Sequence, residues 1–318
     1  MKYDKLELEA HGKINLYLDV TGKRADGYHY IYSMMQNIGI SDRVVIEQIT
    51  GDSNNYCIVK GVALEFCMKD STIPCDKNNL AYKGAEKVIE KIEEKYPGLC
   101  RETLKGTLSI EITKNIPVAS GLAGGSADAA SVMLGINELI GSPLDLEELM
   151  DIGICVGSDV PYSIMMNAKI NEGRLKIKGE RSVAGIVSGI GELVRPVKPI
   201  KKNLILMNPG IQVSTKEIYE EADRRFSSKY EGRTNINDEI LFYNILEECT
   251  LSLYEEAKEL KDWMNEILNA EKILMSGSGP TMVAYYEDNF SIDRDTVIAE
   301  EEVLKRKGWK IYRTVSGV

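Results

Sequence analysis

Hydrophobic and polar residues alternate from the start of the chain. Leu6 and Leu8 share one face of Lys5 to Glu9. After His11-Gly12 a second run puts Ile14, Leu16, Leu18 and Val20 on one face and Lys13, Asn15, Tyr17 and Asp19 on the other. A period of two predicts two short strands, with an edge hairpin or a bend at the glycine. Val44 to Ile49 and Tyr56 to Val59 read as strands around the turn residues GDSNN. Asn78-Asn79 then opens a helix whose apolar face is Ala81, Ala85, Val88 and Ile92, ending near Tyr96-Pro97-Gly98. Leu108, Ile110 and Ile112 alternate again. They lead through Asn115 to Pro117 into a glycine-rich turn and a helix with Ala129, Met133, Ile136 and Ile140 on its buried face. Ser126 is predicted as the N-cap of that helix, with Asp128 in the first turn at the positive end of its dipole.

Asp145 and Glu148 form a capping box for a helix ending at Gly153 to Gly157. Residues 165–180, MMNAKINEGRLKIKGE, alternate after Asn171-Glu-Gly173 and predict a β-hairpin, read as a surface elaboration. Pro196 to Lys202 (PVKPIKK) is the best linker. Beyond it lie a strand at Leu204 to Met207 and a capping box at Ser214 to Glu217. The helix that follows carries Tyr219, Ala222 and Phe226 on one face, and two further helices lie across Ile236 to Leu268. A second glycine-rich turn, Met275 to Thr281, precedes a strand at Met282 to Tyr286. A last helix, Thr296 to Lys307, and a strand, Trp309 to Val315, close the chain. The order predicts two α+β domains, 1–197, with the insertion near 165–180, and 198–318.

At 318 residues, 43% hydrophobic and 28% charged, the chain has the composition of a soluble globular protein. The net charge of −10 argues against a nucleic-acid surface, which needs a basic stripe. No apolar run approaches the ~20 residues of a membrane span, and MKYDKLELEA lacks a signal-peptide core. Cys57, Cys67, Cys75, Cys100, Cys155 and Cys249 are scattered, and with only His11 and His29 beside them a structural zinc site is not expected. Free thiols in a reducing cytoplasm are the plain reading. The expected partner is a small molecule, with no nucleic acid and no membrane, for a chain that is a monomer or a weak homodimer.

The glycine turn supplies the first chemistry. Glycines let backbone N–H groups approach an anion, and the following helix adds unpaired donors and partial positive charge. A phosphate cradle fits this, and so does a tight strand-to-helix turn that needs glycine for its own dihedrals. The turn has neither the G-x-x-x-x-G-K-[ST] spacing nor a strict G-x-G-x-x-G.

P-x-x-S-G-L-A-G-G-S-A-D-A-A, with Pro117, Gly121, Leu122, Gly124, Gly125, Ser126 and Ala129 in place, resembles the second motif of the GHMP kinases. Ala123 departs from a usual glycine, and Ala127 from a common second serine. The first motif narrows the resemblance. Lys13, Asn15, Leu16, Leu18, Val20, Gly22, Arg24, Asp26, Gly27, Tyr28 and His29 fill every fixed position of K-x-N-L-x-L-x-V-x-G-x-R-x-D-G-Y-H. That pattern is similar to the branch acting on a cytidine-diphosphate-linked methylerythritol. On its own, Lys13 reads as a solvated strand end, and Tyr28, His29, Tyr30 and Tyr32 as the edge of a core. Val156 to Pro161 matches G-x-D-V-P, in which Asp159 would otherwise be a cap or a turn former. Gly277, Ser278 and Gly279 match the third motif, S-G-x-G. Two stretches depart from the family: residues 165–180, and Asn244-Ile-Leu-Glu247 where Asn-Asp-Leu-Glu is usual.

The resemblance implies a two-domain GHMP kinase fold, with an N-terminal half like ribosomal protein S5 domain 2 and a ferredoxin-like C-terminal half. It implies transfer of the ATP γ-phosphoryl to the 2-hydroxyl of the substrate. Pro117, Val118, Ala119, Ser120, Gly121, Leu122, Ala123, Gly124, Gly125 and Ser126 would bind ATP, supported by Gly277, Ser278 and Gly279. No dedicated metal site is implied: Mg²⁺ would arrive with ATP, near the Ser126 hydroxyl. Asp159 would accept or orient the hydroxyl proton, and Lys13 would keep that carboxylate ionised and stabilise the alkoxide. Asn15 would assist, His29 would hydrogen-bond the cytosine, and Tyr28 and Tyr219 would stack on its faces, although Tyr219 alone reads as a packing residue. A homoserine- or mevalonate-type kinase, or a non-catalytic ligand-sensing relative, is the alternative. Asp26 to His29 opposes the first, and the presence of both Lys13 and Asp159 opposes the second.

Overall fold

The computed structural model describes residues 5–49, 56–68, 73–227, 230, 241–287, 301–303 and 306–318. The N-terminal alternation becomes one strand, β1 (Lys5–Lys23), and not two with a bend. His11 and Gly12 stay within it because the glycine keeps an ordinary backbone angle and the strand is buried on both faces from Ala10 to Val20. After a turn, β2 (His29–Ile49) absorbs the predicted strand at Val44 to Ile49. β3 (Cys57–Val59) and β4 (Val62–Met68) make a hairpin. They lead to α1 (Leu80–Lys95), α2 (Leu99–Thr103) and β5 (Thr107–Thr113). Next come α3 (Gly124–Leu139), α4 (Leu146–Gly153) and α5 (Val160–Ile170). β6 (Ala184–Gly189), β7 (Leu193–Pro196), β8 (Lys202–Asn208) and α6 (Thr215–Phe226) follow. β9 (Tyr243–Asn244), α7 (Ile245–Leu253), α8 (Glu255–Ile267), β10 (Lys272–Met275), β11 (Met282–Tyr286) and β12 (Lys310–Ser316) complete the order.

The chain divides into two compact units that interleave in sequence. The first holds Met1–Gly12, Ile40–Val118 and Ala123–Val183; the second holds Lys13–Gly39, Ala119–Leu122 and Ala184–Val318. The linear division at 197/198 is therefore not the one the chain makes. Strands β1 and β2 are long enough to serve both units, and β6 pairs with the first half of β2 from Ile31 to Gln36, so the Pro196 to Lys202 linker lies inside the second unit.

In the first unit β4 runs parallel to β5, and β5 pairs antiparallel with β2 from Arg43 to Ile49. α3 packs on α1 and α5. The Asn79 side chain caps α1 by accepting from Ala81 N, and the predicted face Ala81, Ala85, Val88 and Ile92 is buried. Burying Val88 and Ile92 is worth about 1.5–3 kcal/mol each. α3 is buried on every side from Ser126 to Leu139 rather than along one stripe. Its small residues permit this: a Cβ on Gly135 would stand 2.4 Å from Ile46 Cδ1. The Asp145–Glu148 capping box on α4 forms in both directions. In the second unit the antiparallel order is β10-β11-β8-β12, with β12 reaching β2 at Ser316 and Ile38. α6 packs on α7, α7 on α8, and α8 against β8, β10 and β11. Ser214 caps α6 by accepting from Glu217 N. The turn GDSNN, residues 236–240 of the predicted helices and most of the last predicted helix lie outside the described residues.

Residues 165–180 are not a hairpin. Met165 to Ile170 finish α5, and Asn171 clamps the edge of β1, accepting from Glu9 N at 3.0 Å and donating to Glu9 O at 2.9 Å. The alternating residues that follow form a strap. Leu175 and Ile177 are buried in the core, Lys176 N donates to Glu138 at 2.8 Å, and Lys178 O accepts from Leu146 N. One buried face produces the same alternation as a paired strand, so the period alone does not identify the partner.

Candidate active site

The glycine turn passes through three residues of positive φ, Ala119 (φ 52), Gly121 (φ 77) and Ala123 (φ 56). For a residue with a Cβ this costs about 1–2 kcal/mol, and Ala123 is one of the positions where the family usually has glycine. Gly121 has no alternative, because a Cβ there would lie 2.3 Å from the Ser276 carbonyl oxygen. Ala123 caps α3 without a side-chain bond, so the helix starts at Gly124, two residues before the predicted cap. Ser126 lies within the first turn, 8% exposed. Asp128 falls past the first turn, and its carboxylate pairs with Lys114 at 2.5 Å instead of serving the helix dipole.

Lys114 also pairs with Asp42, whose other oxygen accepts from Asn115 N and Ile116 N at 2.5 and 2.8 Å. This buried cluster fixes the chain as it enters the glycine turn. In the same unit, a Cβ on Gly157 would stand 4.0 Å from Ser126 Oγ, so the G-x-D-V-P segment lies close to the start of α3. Asp159 is the residue preceding α5, and its backbone oxygen accepts from Ser163 N. Burial first, and the Asp159 charge second, push the phenol of Tyr162 up.

Lys13 is 3% exposed and is not a solvated strand end. Its Nζ donates to Asn15 Oδ1 at 2.9 Å and to the Gly121 carbonyl at 3.3 Å. Asn15 Oδ1 also accepts from Gly277 N at 3.0 Å, and Asn15 Nδ2 donates to Ser33 Oγ at 2.9 Å. Ser276 Oγ donates to the Gly121 carbonyl at 3.0 Å. The second unit thus gathers the predicted Lys13, Asn15, Gly121 and Gly277, with both glycine-rich turns in contact. Ser278 meets Thr215 through their hydroxyls at 2.9 Å. In the sequence Asn244 only opens a segment that departs from the family. It caps α7 and donates to the carbonyls of Met275 and Gly277, both at 2.8 Å. Glu247 accepts from Met275 N at 2.8 Å. Asn244 and Glu247, two of the three residues that match the family here, hold the second glycine turn, while the departing Ile245 is simply buried.

Tyr28 is 61% exposed on a turn closed by Arg24 N donating to its carbonyl. His29 is inward. Its ring lies 4.8 Å from that of Tyr219, tilted by 31°, and Nε2 is 2.8 Å from Asp223 Oδ1. The same oxygen accepts from Tyr230 OH at 3.0 Å, and Lys23 pairs with Oδ2. Burial raises the Asp223 carboxyl, but the hydrogen bonds from Lys23, His29 and Tyr230 outweigh it and hold the group below its ordinary value. Sequence reasoning missed Asp223. The signal was its position four residues after Tyr219 on one helix face.

A profile of the GHMP kinases N terminal domain matches residues 79–167. The 4-diphosphocytidyl-2-C-methyl-D-erythritol kinase of Clostridioides difficile (strain 630) is 34% identical over 315 residues, covering 95% of this chain and 93% of that enzyme. The enzyme of the same name from Clostridium botulinum (strain Alaska E43 / Type E3) is 36% identical over 296 residues, covering 89% and 91%. The chain belongs to this family of GHMP kinases. A crystal structure of 4-(cytidine 5'-diphospho)-2C-methyl-D-erythritol kinase superposes with a TM-score of 0.69 at 25% identity, over 98% of this chain and all of that one (100%). Homoserine kinase from Cytophaga hutchinsonii, at 15% identity and a TM-score of 0.59, over 100% of this chain and 96% of that one, has the same fold. The α+β architecture expected of a GHMP kinase is thus the one observed.

Proposed function

We propose that this kinase transfers the γ-phosphoryl of ATP to the 2-hydroxyl of 4-diphosphocytidyl-2-C-methyl-D-erythritol. The observation that carries the reading is the unbroken match from Lys13 to His29, on a chain similar to enzymes of that name over 95% of its length. Phosphoryl transfer asks for positioning and charge stabilisation more than for covalent chemistry. Residues Pro117 to Ser126 hold the ATP phosphates, using the N–H groups of the left-handed turn and the first turn of α3. Gly277, Ser278 and Gly279 brace that turn. Asp159 accepts or orients the proton of the substrate hydroxyl. Lys13, held by Asn15, supplies positive charge where the alkoxide develops. His29 contacts the cytosine, with Tyr28 and Tyr219 offering aromatic faces.

Among the described residues no group of three or more His, Cys, Asp and Glu could hold a metal ion. The Ser126 hydroxyl, in the first turn of α3, is the protein group that would meet a Mg²⁺ delivered on the nucleotide. Mg²⁺, when bound, neutralises phosphate charge.

Purified protein with ATP, Mg²⁺ and the cytidylyl substrate is expected to release ADP, and Asp159→Asn to abolish it. Homoserine, mevalonate and galactose are expected to remain untouched. Turnover of one of those instead would keep a kinase and overturn the substrate. Failure with all of them would overturn the catalytic reading.

A further inference from the structure

We propose that Asp223 is a positioning residue that fixes the tautomer of His29 and thereby selects a pyrimidine presenting an amino group over one presenting a carbonyl. The inference rests on the reading that His29 meets the base.

The argument begins with the donor and acceptor inventory. A carboxylate only accepts, so the 2.8 Å contact between Asp223 Oδ1 and His29 Nε2 requires the hydrogen on Nε2. In the neutral ring Nδ1 then carries a lone pair and no hydrogen. Among the described residues none hydrogen-bonds Nδ1. The 4-amino group of cytosine can donate to that lone pair, whereas the 4-carbonyl of uracil, itself an acceptor, cannot. A site whose polar group is left unmatched discriminates far more strongly than one that only fills space.

The surroundings hold this arrangement in place. The imidazole side chain is 9% exposed and the Asp223 carboxylate 19%. Tyr219 covers one face of the ring, and Tyr230 meets it edge-on at 6.3 Å. Tyr230 OH and Lys23 Nζ both donate to Asp223, which keeps it ionised and stops it rotating away from His29. Asp223 and Tyr219 project from one face of α6, so a single helix sets both the ring's stacking and its tautomer.

The chain has two histidines, which makes the tautomer directly measurable by nitrogen NMR of histidine-labelled protein, with His11→Gln assigning the signals. His29 is expected as the Nε2–H form in the wild type. In Asp223→Asn, whose amide can donate as well as accept, that preference is lost. CDP affinity should fall on the order of tenfold, the worth of one hydrogen bond, while UDP affinity changes little. With the cytidylyl substrate KM should rise while kcat holds, a split that a general loss of structure would not give. An Nδ1–H form in the wild type, or an unchanged CDP-to-UDP preference in folded Asp223→Asn, overturns the proposal. The wild-type tautomer needs no variant to fold. An unchanged preference alongside normal turnover sinks the role of Asp223 and leaves the substrate assignment standing. An intact tautomer with no CDP binding and no turnover sinks the assignment, and the selectivity claim with it.

Discussion

Two carboxylate clusters, one in each unit, solve opposite problems. In the first unit Asp42, Lys114 and Asp128 are almost wholly enclosed, with side-chain exposures of 0%, 8% and 4%. Two carboxylates share one ammonium, and Asp128 Oδ1 is buried with no partner among the described residues. Burial pushes the Asp128 carboxyl up, against the pull of Lys114, to about 8. Lys114 goes up too: burial opposes this, and the charges of Asp128 and Asp42 outweigh it. The Asp128 carboxyl moves up because a second buried anion beside one cation is costly to ionise. In the second unit one carboxylate, Asp223, faces three donors and stays ionised. The ratio of donors to carboxylates decides which kind of cluster results. The first keeps a proton and acts as a structural clamp on the turn; the second keeps a charge and can dictate the hydrogen position on a neighbouring ring.

Removing an anion from the first cluster should have the largest effect. Asp42→Ala leaves Asn115 N and Ile116 N without their acceptor and Lys114 with one partner. Breaking such a buried pair costs on the order of 3–5 kcal/mol, read as a lower urea midpoint. A loss below ~1 kcal/mol would mean the clamp is not holding the turn. Asp128 gives the next effect, in its pH dependence. Its folded-state carboxyl lies above the unfolded one, so the folded state binds the extra proton between the two values and stability declines as pH rises from ~4 to about 8. Asp128→Asn should flatten that decline in urea midpoints across the range. An unchanged slope would show that Asp128 is ionised throughout.

The contrast also explains what could be read in advance. Asp145 and Ser214 were legible as caps, and Asn78-Asn79 as a helix start, because a cap is decided within four residues. The first motif was legible because its residues are contiguous along β1 and the following turn. The clamp was not, since Lys114 meets Asp42 from 72 positions away and nothing local marks either. Ser126 failed as a cap because left-handed Ala123 starts the helix earlier, and that angle is set by packing of the turn. The strap at 174–178 was misread for a third reason: burial on one face gives period two whether or not a strand partner exists. Asp223 went unread: its four-residue spacing from Tyr219 marks a shared face, but the partner that gives it a role, His29, lies 194 residues away.

The smallest effect tests whether the second cluster depends on number of donors or on one of them. Lys23 is 47% exposed at its side chain, so its ion pair is screened and worth about 0–1 kcal/mol. Lys23→Met leaves His29 and Tyr230 still donating to Asp223, and the carboxylate remains ionised at neutral pH. The urea midpoint should barely move, and the Nε2–H form of His29 should persist. In the first cluster the equivalent loss of the lysine would strand two buried carboxylates. If Lys23→Met nonetheless releases the His29 tautomer, the charge on Asp223 hangs on one exposed cation, and the distinction drawn between the clusters by their donor ratio fails.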